Sequence, residues 1–144
     1  MSKVAIIYWS GTGNTLAMAE EIKKTLDDKD IETSLIQASD FDKSQIEKFD
    51  GFAFGCPAMG SEELEDSEFE PMFESVENSL NNKPTAIFGS YEWAEGEWMQ
   101  TWQERCVDDS INLVADGLIA YDNPDDEALE ECRKLAEKLY EAIN

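Results

Sequence analysis

The sequence predicts an α/β domain of the doubly wound class, with about five parallel strands joined by right-handed crossovers. Three observations lead there. Short apolar runs alternate along the chain with longer segments of helical period. Runs such as Ala5-Ile6-Ile7 and Ala86-Ile87-Phe88 are continuously apolar, as strands covered on both faces must be. The longer segments carry their apolar residues in one stripe, as helices that flank such a sheet do.

Residues 4–9 make the first strand, and residues 16–26 follow as a helix with Leu16, Ala19, Ile22 and Leu26 on one face. Residues 31–36 and 52–55 are the second and third strands. Residues 69–80 form the next helix, its stripe made by Phe69, Phe73, Val76 and Leu80. Residues 85–89 are the fourth strand and residues 98–106 a third helix, followed by a fifth strand at 118–121. Leu129, Cys132, Leu135, Leu139 and Ile143 give the stripe of a last helix over 129–143, for which Asn123 would be the cap and Pro124 a first-turn proline. In such sheets ligands sit beyond the carboxyl ends of the strands where the chain order reverses, which points to the segments after strands one, three and four.

A chain of 144 residues has the size of one domain, so 1–144 reads as a single unit. A hydrophobic share of 42%, with no long polar tract, belongs to a folded globule. The 33 acidic against 11 basic residues give a formal charge of −22, which repels nucleic acid and anionic membranes and makes basic protein surfaces the natural partners. Cys56, Cys106 and Cys132 are too far apart for a CxxC pair and odd in number, which fits a reducing cytoplasm rather than a disulfide framework. The apolar run at 4–9 is far too short for a membrane span and lacks a cleavage signature. With no histidine, Ser-His-Asp and Cys-His catalysis are excluded and no metal site is expected.

Ser10-Gly11-Thr12-Gly13-Asn14-Thr15 follows a strand and opens a helix, so its glycines permit a tight turn and its amides would face outward at a positive helix end. That describes an anion site. It lacks the Gly-Lys-Ser/Thr ending of a Walker A loop and the third glycine of the dinucleotide fingerprint. Because residues 4–22 contain no Lys or Arg, hydroxyls and amides alone would hold the anion. A ligand-free Gly/Ser/Thr turn is the plainer alternative. After strand three comes Gly55-Cys56-Pro57-Ala58-Met59-Gly60-Ser61-Glu62, and after strand four Gly89-Ser90-Tyr91-Glu92-Trp93-Ala94. Each offers a large flat or polarizable side chain beside flexible backbone.

Together these three segments resemble the FMN-binding loops of the short-chain flavodoxins of anaerobic bacteria, over nearly the whole chain. The resemblance implies a flavodoxin-like five-stranded parallel sheet of order 2-1-3-4-5 around one non-covalently bound FMN. Ser10, Thr12, Asn14 and Thr15 would hydrogen-bond the phosphate, helped by the amides of Gly11 and Gly13 and by Ser90. Trp9 would lie near the phosphate and ribityl chain, with Pro57, Ala58, Ser61, Tyr91 and Glu92 completing the pocket. Met59 and Trp93 would sandwich the isoalloxazine, and Glu62 would accept from N3–H. Gly60 would turn its carbonyl toward N5, favouring the neutral semiquinone, a motion that needs tolerance of positive φ. Glu92-Trp93-Ala94 departs from the Gly-Trp-Gly common in the family.

The implied function is a low-potential carrier, an electron-transfer protein rather than an enzyme, cycling mainly between semiquinone and hydroquinone and substituting for ferredoxin. Its implied partners are ferredoxin- or flavodoxin-dependent oxidoreductases, with the carrier a cytoplasmic monomer. The alternative is an FMN-dependent enzyme of the quinone reductase type, for which compact loops leave little material. Residues 62–70 carry six carboxylates and no cation, and Glu92, Glu95 and Glu97 add three more. A solvated acidic face is the plain reading of such runs. Beside a flavin they would also disfavour an anionic hydroquinone and steer basic partners.

Overall fold

The apolar runs form the strands β1 (Lys3–Tyr8), β2 (Glu32–Gln37), β3 (Gly51–Gly55), β4 (Thr85–Tyr91) and β5 (Leu118–Tyr121). In the computed structural model, which describes residues 2–59, 63–92 and 95–143, they pair in parallel in one sheet of order β2-β1-β3-β4-β5. The expected order is therefore found. The helices between them are α1 (Asn14–Asp27), α2 (Phe69–Val76), α3 (Glu97–Asp108) and α4 (Asp126–Ile143).

Alternation of side chains along each strand divides the core in two. Val4, Ile6, Ala53, Ala86 and Phe88 pack with Met18, Ala19, Ile22 and Leu26 of α1 and with Cys132, Leu135 and Leu139 of α4. Ala5, Ile7, Phe52, Phe54 and Ile87 pack with Phe69 and Phe73 of α2 and Trp98 and Trp102 of α3. The second layer is aromatic: Phe54 meets Phe73 edge-on at 5.3 Å between centroids, and Phe69 meets Trp102 in the same way at 5.4 Å.

Two helix boundaries differ from expectation. Helix α2 stops at Val76, where the chain tightens into a turn closed by the Ser79 amide on the Val76 carbonyl at 2.8 Å, although Leu80 is still buried where the stripe would have placed it. Helix α4 is capped by Asp125 rather than Asn123: its Oδ1 accepts from the Ala128 amide at 2.8 Å, and Pro124 stands ahead of the first turn instead of within it. Between β2 and β3 the chain also makes 3₁₀ turns at Ala38–Asp40 and Lys43–Lys48. The second begins at a capping box in which Asp42 accepts from Ser44 and Gln45 returns a bond to the Asp42 amide.

Tight strand packing ends the sheet beneath the loops. A Cβ on Gly89 would stand 2.0 Å from the Cys56 carbonyl oxygen, so only glycine lets β4 approach β3 there.

Candidate functional site

Three connections meet beyond the carboxyl ends of β1, β3 and β4. The β1–α1 loop turns at Gly13, whose φ of +94° opens α1 without a side-chain cap. Ser10 Oγ accepts from the amides of Gly13 (3.0 Å) and Leu16 (3.3 Å), and Thr12 Oγ1 lies 3.4 Å from the Asn14 amide. The loop amides are thus gathered by the loop's own hydroxyls rather than all facing outward, as the sequence suggested. Trp9 continues the pairing of β1 with β3 through its amide to the Gly55 carbonyl. Its indole folds back until a Cβ on Gly11 would stand 3.2 Å from the ring.

The second and third connections are tied to the first. Ala58 donates to the Ser90 carbonyl at 3.0 Å, and the buried hydroxyls of Thr15 and Ser90 lie 2.8 Å apart. Met59 and Glu63 exchange two backbone hydrogen bonds of 2.9 Å, pinning both ends of the segment between them. Glu65 is only 4% exposed and collects the amides of Ser67 (2.9 Å), Glu68 (2.8 Å) and Phe69 (2.8 Å), as well as the Ser67 hydroxyl. Its burial would raise the carboxyl's pKa, but these donors outweigh that and hold it below its usual value. Tyr91 packs edge-on against Tyr121 and tilted against Trp98, whose indole N–H donates to the Cys56 carbonyl.

The loops enclose a cleft of about 200 Å³ lined by Trp9, Gly11 and Thr12 from the first, Pro57, Ala58 and Met59 from the second, and Ser90, Tyr91 and Glu92 from the third. Every one of these was singled out in the sequence. Ser10 and Gly13 line an adjoining cavity of about 540 Å³, shared with Trp9, Gly11 and Thr12, while Asn14 and Thr15 stand in the first turn of α1. Gly60, Ser61, Glu62 and Trp93, with Ala94, lie outside the described residues.

The acidic run is less bare than its sequence suggests. Arg105 of α3 makes a forked pair with Glu70 (2.8 and 2.7 Å) and another with Glu77 (2.8 Å each). Glu65 is committed to backbone amides, which leaves Glu63, Asp66 and Glu68 as the exposed carboxylates of the described part of the run. No Lys or Arg lines either cavity. The three cysteines are buried, and burial pushes their thiols up, to about 12 for Cys106 and Cys132.

The sequence profile of the flavodoxin family matches residues 6–135. The chain belongs to the flavodoxin family. It is 39% identical over 139 residues to a flavodoxin of Megasphaera elsdenii, spanning 96% of this chain and 99% of that one. It is 40% identical over 134 residues to a flavodoxin of Clostridium beijerinckii, spanning 93% and 96%. The solution structure of the two-electron reduced Megasphaera elsdenii flavodoxin superposes with a TM-score of 0.85, at 40% identity, over 96% of this chain and 99% of that one. Flavodoxins are FMN-binding electron-transfer proteins, and this chain is therefore one too.

The site's chemistry fits that cofactor. The cleft is walled by Trp9, Pro57, Ala58, Met59 and Tyr91, which suits a flat apolar ring, and it opens at one end onto the hydroxyls at the start of α1, which suit a phosphate. Nothing lies within 4 Å of the place a Gly13 Cβ would take, so the loop is open there. Sequence reasoning missed the larger cavity's far wall, Gln37 at the end of β2 with Ala38 and Ser39 just beyond it, and the bond from Trp9 to Glu68. The reversal of chain order points to the loops after strands one, three and four and not to the one after β2. An acidic residue 59 positions from its tryptophan leaves no signal in a single sequence.

Proposed function

We propose that the chain, as a single FMN-binding domain over 1–144, carries electrons one at a time at low potential between larger redox proteins and has no substrate turnover of its own. Convergence of nine residues at and beyond three strand ends on one apolar cleft is the observation that carries this reading.

FMN, when bound, supplies reversible one-electron redox chemistry at a flat conjugated ring. Ser10, Thr12, Asn14 and Thr15 bind its phosphate with hydroxyl and amide donors, Ser90 and the amides of Gly11 and Gly13 assisting. The Thr15–Ser90 contact locks those donors to β4. Trp9, Pro57, Ala58, Met59 and Tyr91 exclude water from the ring faces. By resemblance to the family, Trp93, Gly60, Ser61 and Glu62, which lie outside the described residues, would complete the ring contacts. Glu92 brings negative charge to the cleft, which disfavours added electron density and lowers the potential.

Exposed Glu63, Asp66 and Glu68 keep the β3–α2 connection acidic and favour partners with basic surfaces, as expected for oxidoreductases that also accept ferredoxin. No helix among the described residues is long and apolar enough to cross a membrane. A cytoplasmic, monomeric carrier accords with the high charge and the buried, unpaired thiols.

The residue assignment is tested by comparing FMN with riboflavin. Ser10→Ala with Thr12→Val weakens FMN at least tenfold and leaves riboflavin within twofold, because only FMN carries the phosphate. Equal losses for both ligands would place the phosphate elsewhere. Steady-state assays with NADPH and quinones separate the carrier from an enzyme, and sustained turnover would reject it.

A further inference from the structure

Glu68 is outside the set of residues assigned to FMN, yet its carboxylate reaches the phosphate loop through one side chain. Its Oε1 accepts from the Trp9 indole N–H at 2.9 Å, joining the β1–α1 loop to the β3–α2 connection across 59 positions of sequence. Glu68 is itself fixed at both ends of its backbone. Its amide donates to Glu65 Oε1 at 2.8 Å, and its carbonyl accepts from Met72 in the first turn of α2. Glu65 is buried and gathers the neighbouring amides as well, so the acceptor is mounted on a rigid support. At the other end, the indole lies against the α-carbon of Gly11, close enough that a Cβ there would be crowded.

The indole stands between two cavities. Trp9, Gly11 and Thr12 line both the cleft of about 200 Å³ and the adjoining cavity of about 540 Å³, and Glu68 lines only the latter. An indole free to rotate about its side-chain torsions could merge the two spaces, and a bound ring would then have to immobilise it at an entropic cost.

We propose that Glu68 is a positioning residue for FMN: its carboxylate holds the Trp9 indole as a fixed partition between the phosphate loop and the flavin cleft. The inference rests on the proposed placement of FMN against Trp9. It separates two effects of one side chain. As an anion near a phosphate, Glu68 weakens FMN binding by repulsion; as a hydrogen-bond acceptor for Trp9, it strengthens binding by preorganisation.

Glu68→Gln removes the charge and keeps a carbonyl acceptor, whereas Glu68→Ala removes both. Their ratio of FMN dissociation constants therefore reports the acceptor alone. Ala binds on the order of fivefold more weakly than Gln, the size of one partly exposed hydrogen bond. In a Trp9→Phe background, which has no indole N–H to hold, the same ratio falls to one. The Trp9 indole N–H resonance moves in Glu68→Ala and returns toward its original position in Glu68→Gln. Urea midpoints of the apoproteins, measured alongside, stay within error of each other for the Gln and Ala variants.

A ratio near one in the Trp9 background, or a ratio unchanged by Trp9→Phe, overturns the positioning role while leaving the FMN site intact. If Trp9→Phe itself leaves FMN binding unchanged, the placement of FMN against Trp9 fails, and this role fails with it.

Discussion

Replacing Glu65 with alanine tests whether a buried carboxylate, rather than the local helix propensity, builds the β3–α2 connection. Glu65 accepts from the amides of Ser67, Glu68 and Phe69 and from the Ser67 hydroxyl, at 4% exposure. Loss of a side-chain cap costs about 0.5–2 kcal/mol in general. The Phe69 amide adds to that, because Phe69 is fully buried and water cannot replace the lost acceptor, a penalty of about 1–3 kcal/mol. Ser67 and Glu68 are exposed, so their amides find water instead. The sum is about 1.5–5 kcal/mol. With an unfolding entropy of about 0.3 kcal/mol/K for a chain of this length, the melting temperature falls by about 5–17 °C.

The pH dependence carries its own sign. Desolvation pushes the Glu65 pKa up, but its hydrogen bonds bring it below the usual 4.5. A carboxylate whose folded pKa is depressed contributes stability that is present above the unfolded value and is lost as pH falls through the folded value. The gap between the native chain and Glu65→Ala therefore holds steady from neutral pH down to about 5. Below about 4.5 it narrows. Urea unfolding followed by far-UV circular dichroism at stepped pH measures this. A gap under about 0.5 kcal/mol at pH 7, or one that persists unchanged at pH 3, refutes the reasoning.

Three further substitutions probe packing and charge. Gly89→Ala drives a Cβ into the Cys56 carbonyl, a backbone atom that cannot swing away, so the loss in urea unfolding exceeds the roughly 1–3 kcal/mol of ordinary overpacking. Gly13→Ala meets no atom and costs only the strain of its φ of +94°, about 1–2 kcal/mol; equal losses at both sites would deny the close approach. Asp109 has a buried Oδ2 with no donor facing it, and its hydrogen bond to Glu77, followed by desolvation, raises its pKa to about 6. The two carboxyls can bond only through a shared proton, so this contribution is full below the unfolded value of 3.8 and is lost as pH rises through about 6. Asp109→Asn supplies a permanent donor and gains on the order of 1 kcal/mol at pH 7.5 after allowance for solvent screening. Unfolding curves of both proteins at pH 4.5 and 7.5 check it, and a native chain equally stable at the two values relative to the variant would contradict it.

Local periodicity made most of the fold legible. Continuous apolar runs marked the strands, and stripes such as Leu16, Ala19, Ile22 and Leu26 located α1 within two residues at its start. Where the signal failed, a longer-range or side-chain-specific event decided. The stripe ran on to Leu80 although the helix ends at Val76, and the Asn-Pro pair drew the cap away from Asp125. The 3₁₀ turns after β2 were missed because runs of three to six residues carry too little period to register. In the site, glycine and hydroxyl spacing exposed the phosphate loop, and the family resemblance supplied the rest. Pairings across sequence, such as Arg105 with Glu70 and Trp9 with Glu68, were invisible for want of any local pattern.

Those long-range pairings shape the field that the cleft projects. Lys3, Lys23, Lys83, Arg105, Arg133 and Lys134 all sit against carboxylates, at Glu32, Asp27, Glu47, Glu70 and Glu77, Glu21 and Glu130, and Glu131 respectively. The exposed pairs among them, such as Lys3 with Glu32 and Lys134 with Glu131, add little stability each, so their main consequence is the placement of positive charge away from the cleft. Where the loops converge, Glu68 in the larger cavity and Glu92 in the cleft meet no cation in the linings. A phosphorylated ligand must enter against that field, whereas a basic protein surface is drawn to it. Added salt screens both interactions beyond about 10 Å at 0.1 M, with opposite results: FMN affinity rises with ionic strength while association with basic partners slows. Titrations of the apoprotein with FMN and stopped-flow exchange with a basic reductase, each run from low to high salt, separate the two, and slopes of the same sign would mean that the cleft is not the focus of the negative potential.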